Sequence, residues 1–251
     1  MLPVLIRIGP IPVYSYGLML AISFILGIFL AQKWANRRGI DPKKIEDLGF
    51  WILIAAVIGS RVLYIIFHPN EFLPNPLSFV KIWEGGLMFF GGFVGAILAA
   101  LIFLKKNRIP ILKTGDMIVP LVGLGEFFTR IGCFLNGCCF GKSTSLPWGI
   151  KFPIQSAAGH LHRPLHPTQL YSSLFGFILF YYLMQRQKQK LKTGQVFSEF
   201  LITYGGFRFL IDFVRYYENA ENLWVNQLIA LSIILVGIVI LIKVRIRTGK
   251  A

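Results

Sequence analysis

LGFWILIAAVIGSRVLYIIF, residues 48–67, carries one charge, Arg61, in twenty positions. A helix of that length is about 30 Å long at 1.5 Å per residue, the thickness of a bilayer's hydrocarbon core. Strands are shorter, and buried core helices are rarely so uniformly apolar. Six more runs read the same way: Ile11–Gln32, Gly86–Leu104, Asp116–Asn136, Leu170–Met184, Val196–Val214 and Trp224–Ile242. Together they predict an all-α, polytopic membrane protein, a seven-transmembrane-helix bundle. Composition agrees. Charged residues make up 15% of the chain and mean hydropathy is +0.64, whereas a soluble domain carries roughly a quarter charged residues.

The net charge of +15 invites a nucleic-acid reading, but its distribution excludes one. Of the 26 basic residues, 17 sit in four clusters between apolar runs: Lys33, Arg37, Arg38, Lys43 and Lys44; Lys105, Lys106, Arg108 and Lys113; Arg186, Lys188, Lys190 and Lys192; Lys243, Arg245, Arg247 and Lys250. The clusters follow the first, third, fifth and seventh runs, so all fall on one side. The opposite loops hold Glu71, Glu84, Glu218 and Glu221. The positive-inside rule makes the basic side cytoplasmic, with the N-terminus outside and the C-terminus inside. The whole chain, 1–251, reads as a single transmembrane domain with a periplasmic-side segment around 137–167. The basic residues follow the first apolar run and no small-residue cleavage site is seen, so no cleavable signal is expected.

Charges inside apolar runs are costly and default to paired or functional roles. They are Arg61, Glu126, Arg130, Glu199, Arg208 and Asp212. For Arg61 and Glu199 simple neutralisation suffices. Arg208 and Asp212 stand four apart on one helix face and can pair locally, as can Glu126 and Arg130. Arg130, Arg208 and Asp212 lie towards the outer ends of the fourth and sixth runs, at a depth that lipid headgroups reach. A guanidinium there can hold a phosphate in its planar fork at any pH.

The most unusual segment is Thr129-Arg-Ile-Gly-Cys-Phe-Leu-Asn-Gly-Cys-Cys-Phe-Gly141. Its glycines permit close helix approach or an irregular backbone lining a cavity. Cys133, Cys138 and Cys139 suggest a metal, but zinc usually takes four ligands, and adjacent Cys138 and Cys139 would point apart on a helix. His162 and His166 are the available additions. A small-residue role is preferred, a disulfide stays open, and no metal or other cofactor is predicted. His166-Pro-Thr-Gln-Leu-Tyr171 opens the fifth run, with Pro167 suited to a first helical turn. Gly91 and Gly95 have the spacing of a helix-packing face.

These pieces, in this order, resemble the bacterial prolipoprotein diacylglyceryl transferases over nearly the whole chain. The resemblance rests on Tyr16-Gly-Leu-Met19, the double-glycine segment Gly85–Gly95, Arg130-Ile-Gly-x-Phe-x-Asn136-Gly, Gly141, His166-Pro-x-Gln-Leu-Tyr171 and Gly206-Phe-Arg208-Phe-Leu-Ile-Asp212-Phe-Val-Arg215. It implies a seven-helix bundle in the bacterial cytoplasmic (inner) membrane. It also implies one reaction: the diacylglyceryl group of phosphatidylglycerol moves to the lipobox cysteine thiol of a prolipoprotein, forming a thioether and releasing glycerol phosphate. By the same resemblance Arg130, Arg208, Tyr16, His166 and Asp212 form the catalytic set. Arg130, Asn136, Gly141, Gln169 and Tyr171 surround the phosphatidylglycerol. The partners are then prolipoproteins and membrane lipids, with no nucleic acid. The chain departs from the family pattern at Phe90, where many members carry histidine. It departs again at Cys133 and Cys138, where asparagine and glutamate are common, and at Asp212, where glutamate is more usual. The general base is therefore open. The competing readings are a catalytically silent lipid-binding paralogue or small membrane transporter, and a metal- or redox-sensing membrane protein built on the cysteines.

Overall fold

The computed structural model describes residues 2–9, 11–72, 85–218 and 220–246. Glu84, Arg247 and Lys250 lie outside the described residues. The helices are α1 (Ser15–Arg37), α2 (Pro42–Phe67), α3 (Phe89–Lys106), α4 (Ile111–Asn136), α5 (Thr168–Gln187), α6 (Gln195–Ile211) and α7 (Ala220–Ile246), plus a single turn at Pro69–Phe72. Each of the seven apolar runs thus contains a helix. Four short strands qualify the all-α expectation. β1 (Val4–Ile8) pairs antiparallel with β2 (Ile11–Tyr14), and β3 (Ile150–Lys151) with β4 (Pro164–Leu165). The expected first helix begins with β2 because Ile11, Pro12, Val13 and Tyr14 form a hairpin arm. Their partners include Ile6 for Val13 and Arg7 for Pro12.

Five helices are long and apolar enough to cross a bilayer: α1, α2, α3, α4 and, within α7, Leu223–Ile246. The other two differ for physical reasons. α6 has 17 residues and carries Glu199 and Arg208. α5 buries Thr168, Gln169, Ser172 and Ser173, so its polar face turns into protein, where such groups find partners. Outward faces are apolar: Phe89 is 76% and Leu235 62% exposed, as expected where lipid replaces water.

The chain divides into two compact units, Ala31–Thr114 and Met1–Leu30 with Gly115–Ala251. In the first, Pro42 starts α2 and Asp41 caps it by accepting from the Lys43 amide at 2.9 Å. α2 and α3 pack backbone to backbone. A side chain on Gly91 would collide with the Gly59 carbonyl, and one on Gly95 would meet the Ala55 carbonyl oxygen at 2.5 Å. This is the packing face that the spacing of Gly91 and Gly95 predicts. We expect Gly91→Leu to separate the two helices and destabilise the protein by at least about 1–3 kcal/mol, the usual cost of overpacking. Thermal unfolding in detergent measures it, and an unchanged midpoint would contradict the packing. Arg61 donates to the carbonyls of Gly85 and Gly86, at 2.6 and 3.0 Å, which ties the start of the α3 segment to α2.

In the second unit Val119, Leu179, Leu183, Val196 and Phe200 form a core between α4, α5 and α6. Asp116, inside α4, accepts from the Gly194 and Phe197 amides at 2.5 and 2.7 Å. It thereby caps α6 with a negative charge where free N–H groups concentrate. Glu199 meets Arg186 at 2.6 Å, the structural neutralisation expected for it. α1 crosses α4 at Gly132, where an added Cβ would touch Met19 Cβ at 3.0 Å and Tyr16 Cα at 3.1 Å.

Candidate active site

All the site residues read from the sequence fall in the second unit. The glycines of the Arg130 segment do not break α4 early. The helix runs through Gly132 to Asn136 and stops at Gly137, which has φ +77°. That left-handed conformation suits glycine.

Arg130 is one turn from Glu126, and its Nε donates to Glu126 Oε1 at 2.8 Å. The side chains are 15% and 14% exposed. The pairing that four-residue spacing allows therefore forms. It uses one edge of the guanidinium only, and among the described residues the two terminal nitrogens bond nothing. Arg208 makes a similar partial contact. Its Nη2 lies 3.2 Å from Asp212 Oδ1, and Asp212 is fully buried at the end of α6. The Tyr217 hydroxyl donates to the same oxygen at 2.7 Å, while Oδ2 has no hydrogen-bond partner among the described residues. Burial, with the bond to Asp212 next, pushes the Tyr217 phenol above its usual range, so it remains a donor to the carboxylate.

Tyr204, one turn before Arg208, lies within reach of the charges of Glu126, Arg208, Arg130 and Arg215. Charges from α4 and from the end of α6 thus both act on Tyr204. Sequence reasoning missed Tyr204, although its i−4 spacing to Arg208 was visible. Tyr16, carried in by the close crossing at Gly132, lies within reach of Arg130 and the three cysteines.

The segment after α4 folds back as a small cap. Phe140, Phe152, Ala158 and Leu165 form its core. Gly141 is clasped by two strands of backbone. Its N–H donates to the His166 carbonyl at 2.9 Å, and a side chain would meet the Val214 oxygen at 2.7 Å. Gln169 is fully buried, and its Nε2 donates to the Cys138 carbonyl at 2.7 Å. Thr168 holds the Cys139 carbonyl at 2.8 Å. Gly141 and Gln169, read as lipid-contacting residues, thus have structural tasks in the cap. His166 Nδ1 lies 3.3 Å from the Tyr171 hydroxyl, which also accepts from Trp148 Nε1 at 2.7 Å. Neither His166 nor Tyr171 bonds an arginine among the described residues. Asn136 ends α4 beside Cys138. Phe90 belongs to the other unit, half exposed against Phe89. An open cleft of about 540 Å³ lies on the cap, lined by Lys142, His160, Arg163, Tyr216 and Tyr217 among others. Tyr217 links it to Asp212.

The cysteines correct one expectation. Cys138 and Cys139 follow the helix end, and Cys139 takes a left-handed φ of +59°. They do not point apart on a helix. Instead the sulfurs of Cys133, Cys138 and Cys139 lie within 4.8 Å of one another. Hydrogen bonds from Cys133 and Cys138, with Arg215 and Arg130 adding to them, hold the Cys139 thiol below its usual range.

The chain matches the family model described as prolipoprotein diacylglyceryl transferase over residues 3–243. It is 35% identical to the phosphatidylglycerol–prolipoprotein diacylglyceryl transferase of Clostridium tetani over 241 residues, 95% of this chain and 96% of that protein. The protein of the same name from Bordetella bronchiseptica is 37% identical, over 94% of this chain and 92% of its own. That of Bordetella avium is 34% identical, over 99% and 96%. A match of this extent leaves neither a catalytically silent lipid-binding paralogue nor a small transporter favoured, and the protein is a multi-pass membrane protein. The chain belongs to the prolipoprotein diacylglyceryl transferase family.

Proposed function

We infer that this protein is a transferase that moves the diacylglyceryl group of phosphatidylglycerol onto prolipoproteins, at the arginine cluster between the ends of α4 and α6. The observation that carries the site assignment is the half-paired Arg130, fixed by Glu126 through Nε, with its terminal nitrogens unbonded among the described residues. A planar fork so presented matches a phosphate diester.

In the reaction, the lipobox thiol loses its proton and its sulfur attacks the glyceryl carbon next to the phosphate. The carbon–oxygen bond breaks, its electron pair stays on oxygen, and glycerol phosphate leaves. A free thiol with pKa about 8.5 is only a few per cent ionised at neutral pH, so cations near it raise the thiolate fraction. The phosphate gains charge as the bond breaks. Arg130 and Arg208 then bind the transition state more strongly than the lipid, which raises the rate. Asp212 holds Arg208, Tyr16 lines the approach, and His166 is the candidate proton acceptor. Asn136, Gly141, Gln169 and Tyr171 surround the lipid, the latter three mainly by shaping the cap.

The remaining features follow the same reading. All seven helices span, α5 and α6 with their polar faces inside, and the segment 137–167 lies on the periplasmic side of the bacterial inner membrane. The basic ends of α1, α3, α5 and α7 support that orientation. Cysteine-accessibility labelling is expected to find positions 43 and 188 inside and 71 and 218 outside. Labelling of position 71 from the cytoplasm would reverse the topology.

The deciding assay incubates the purified protein with phosphatidylglycerol vesicles and a lipobox peptide and seeks the thioether product by mass. Absence of product from a folded preparation counts against the function. Phe90→Leu should retain most of that activity, because a phenyl ring neither takes a proton nor holds a phosphate. Loss of the product in a folded Phe90→Leu protein would assign the ring a task.

A further inference from the structure

The three cysteines have no part in the transfer just described, yet the fold gathers them. Cys133 is buried on the last turns of α4, and Cys138 and Cys139 are half buried in the turn beyond it. The turn is built to bring them back. Gly137 and Cys139 both adopt left-handed backbone, and the Cys138 amide returns to the Cys133 carbonyl at 3.1 Å. Gln169 and Thr168 of α5 then pin the carbonyls of Cys138 and Cys139. As a result the sulfurs stand within 4.8 Å of one another. Metal–sulfur bonds of about 2.3 Å place thiolates about 3.8–4.0 Å apart in tetrahedral or trigonal geometry. Side-chain rotations closing less than about an ångström suffice to enclose an ion.

We propose that Cys133, Cys138 and Cys139 form a three-thiolate site for a soft monovalent metal ion, Cu(I). Three observations favour this ion. All the donors are sulfur, a soft ligand that suits Cu(I), as it does zinc and iron–sulfur clusters. No histidine or carboxylate joins the group among the described residues, so the four-ligand set of a structural zinc site is incomplete. The guanidiniums of Arg130 and Arg215 lie within reach of Cys139 and offset the two negative charges that three thiolates and one Cu(I) leave. Binding exchanges thiol protons for the metal and changes no oxidation state. It staples the end of α4 to the cap, so its consequence is stability of the cap rather than chemistry on the lipid.

The test uses the full chain, purified in detergent under reducing, metal-free conditions and titrated with Cu(I) buffered by a competing chelator. One Cu(I) per chain is expected, with a rise in melting temperature. Cys133→Ser, Cys138→Ser and Cys139→Ser should each weaken uptake at least tenfold, and the triple serine variant should lose it while still forming the thioether product. Copper X-ray absorption of the unmutated protein, which does not depend on any variant folding, should report three sulfur neighbours only. Undiminished uptake by the triple variant, tighter binding of Zn(II) than of Cu(I), nitrogen or oxygen in the copper shell, or a disulfide that survives reductant would each refute the site.

Discussion

Replacing Arg130 by lysine is expected to leave a folded, inserted protein that has lost on the order of 100- to 1,000-fold of its turnover, the usual penalty for removing a donor aimed at developing charge. Lysine keeps the charge but not the fork. Its single ammonium cannot hold Glu126 and at the same time offer two parallel donors to a phosphate. Arg130 can do both, because Nε alone serves Glu126, at 2.8 Å. Glu126 is then a positioning residue, and Glu126→Gln should be mild, since an amide oxygen still accepts from Nε. A purely structural pair behaves differently. In that case each single neutral variant is unstable, and combining Arg130→Gln with Glu126→Gln restores both the fold and the transfer. Melting temperature and thioether formation, measured on all four proteins, separate the cases. Transfer regained in the double variant would sink the phosphate role of Arg130.

The second large effect is expected at Asp212. Its carboxylate is fully buried, bridges Arg208 and Tyr217, and has an oxygen with no partner among the described residues. Asp212→Ala removes the counter-charge from Arg208, whose side chain is only 16% exposed. Breaking such a pair from one side costs about 3–5 kcal/mol, enough to unfold much of a marginally stable protein. Asp212→Asn keeps the shape and the Tyr217 bond and should lose less stability. Arg208→Gln is expected to be more stable than Asp212→Ala, because a carboxyl left alone can take a proton and an arginine cannot lose one. If Arg208 also serves the lipid, Arg208→Gln with Asp212→Asn melts close to the native temperature and remains inactive. An active double variant would reduce the pair to scaffolding.

Much of this protein is written locally. The seven helices follow from runs such as 48–67 because crossing a bilayer sets a length and a composition that few residues can alter. The helix ends are set locally too. Asp41 and Pro42 begin α2, and Gly137 ends α4, through bonds and dihedrals that involve near neighbours alone. The pairs Glu126–Arg130 and Arg208–Asp212 were readable from four-residue spacing, which places both members on one face before any tertiary contact exists. The ordered motifs carried the family.

What the sequence by itself determined, then, is what depends on residues a few positions apart: apolar helices, alternating charge between them, and ion pairs within a turn. The tertiary structure decided whatever needs two distant segments. It buried the polar face of α5 against its neighbours, which explains why that helix is less apolar than a lipid-facing span. It drew Tyr204 in among charges from α4 and from the end of α6. It gave Gly141 and Gln169 places in the clasp of the cap, because backbone segments near His166 and Val214 converge there. It also brought three sulfurs together through a left-handed residue after the helix end. Periodicity can place Cys133 on a helix, but side-chain direction beyond the last turn is set by φ at Gly137 and Cys139. The carbonyls of Cys138 and Cys139 that follow are held by Gln169 and Thr168 of α5, some thirty residues away in the chain.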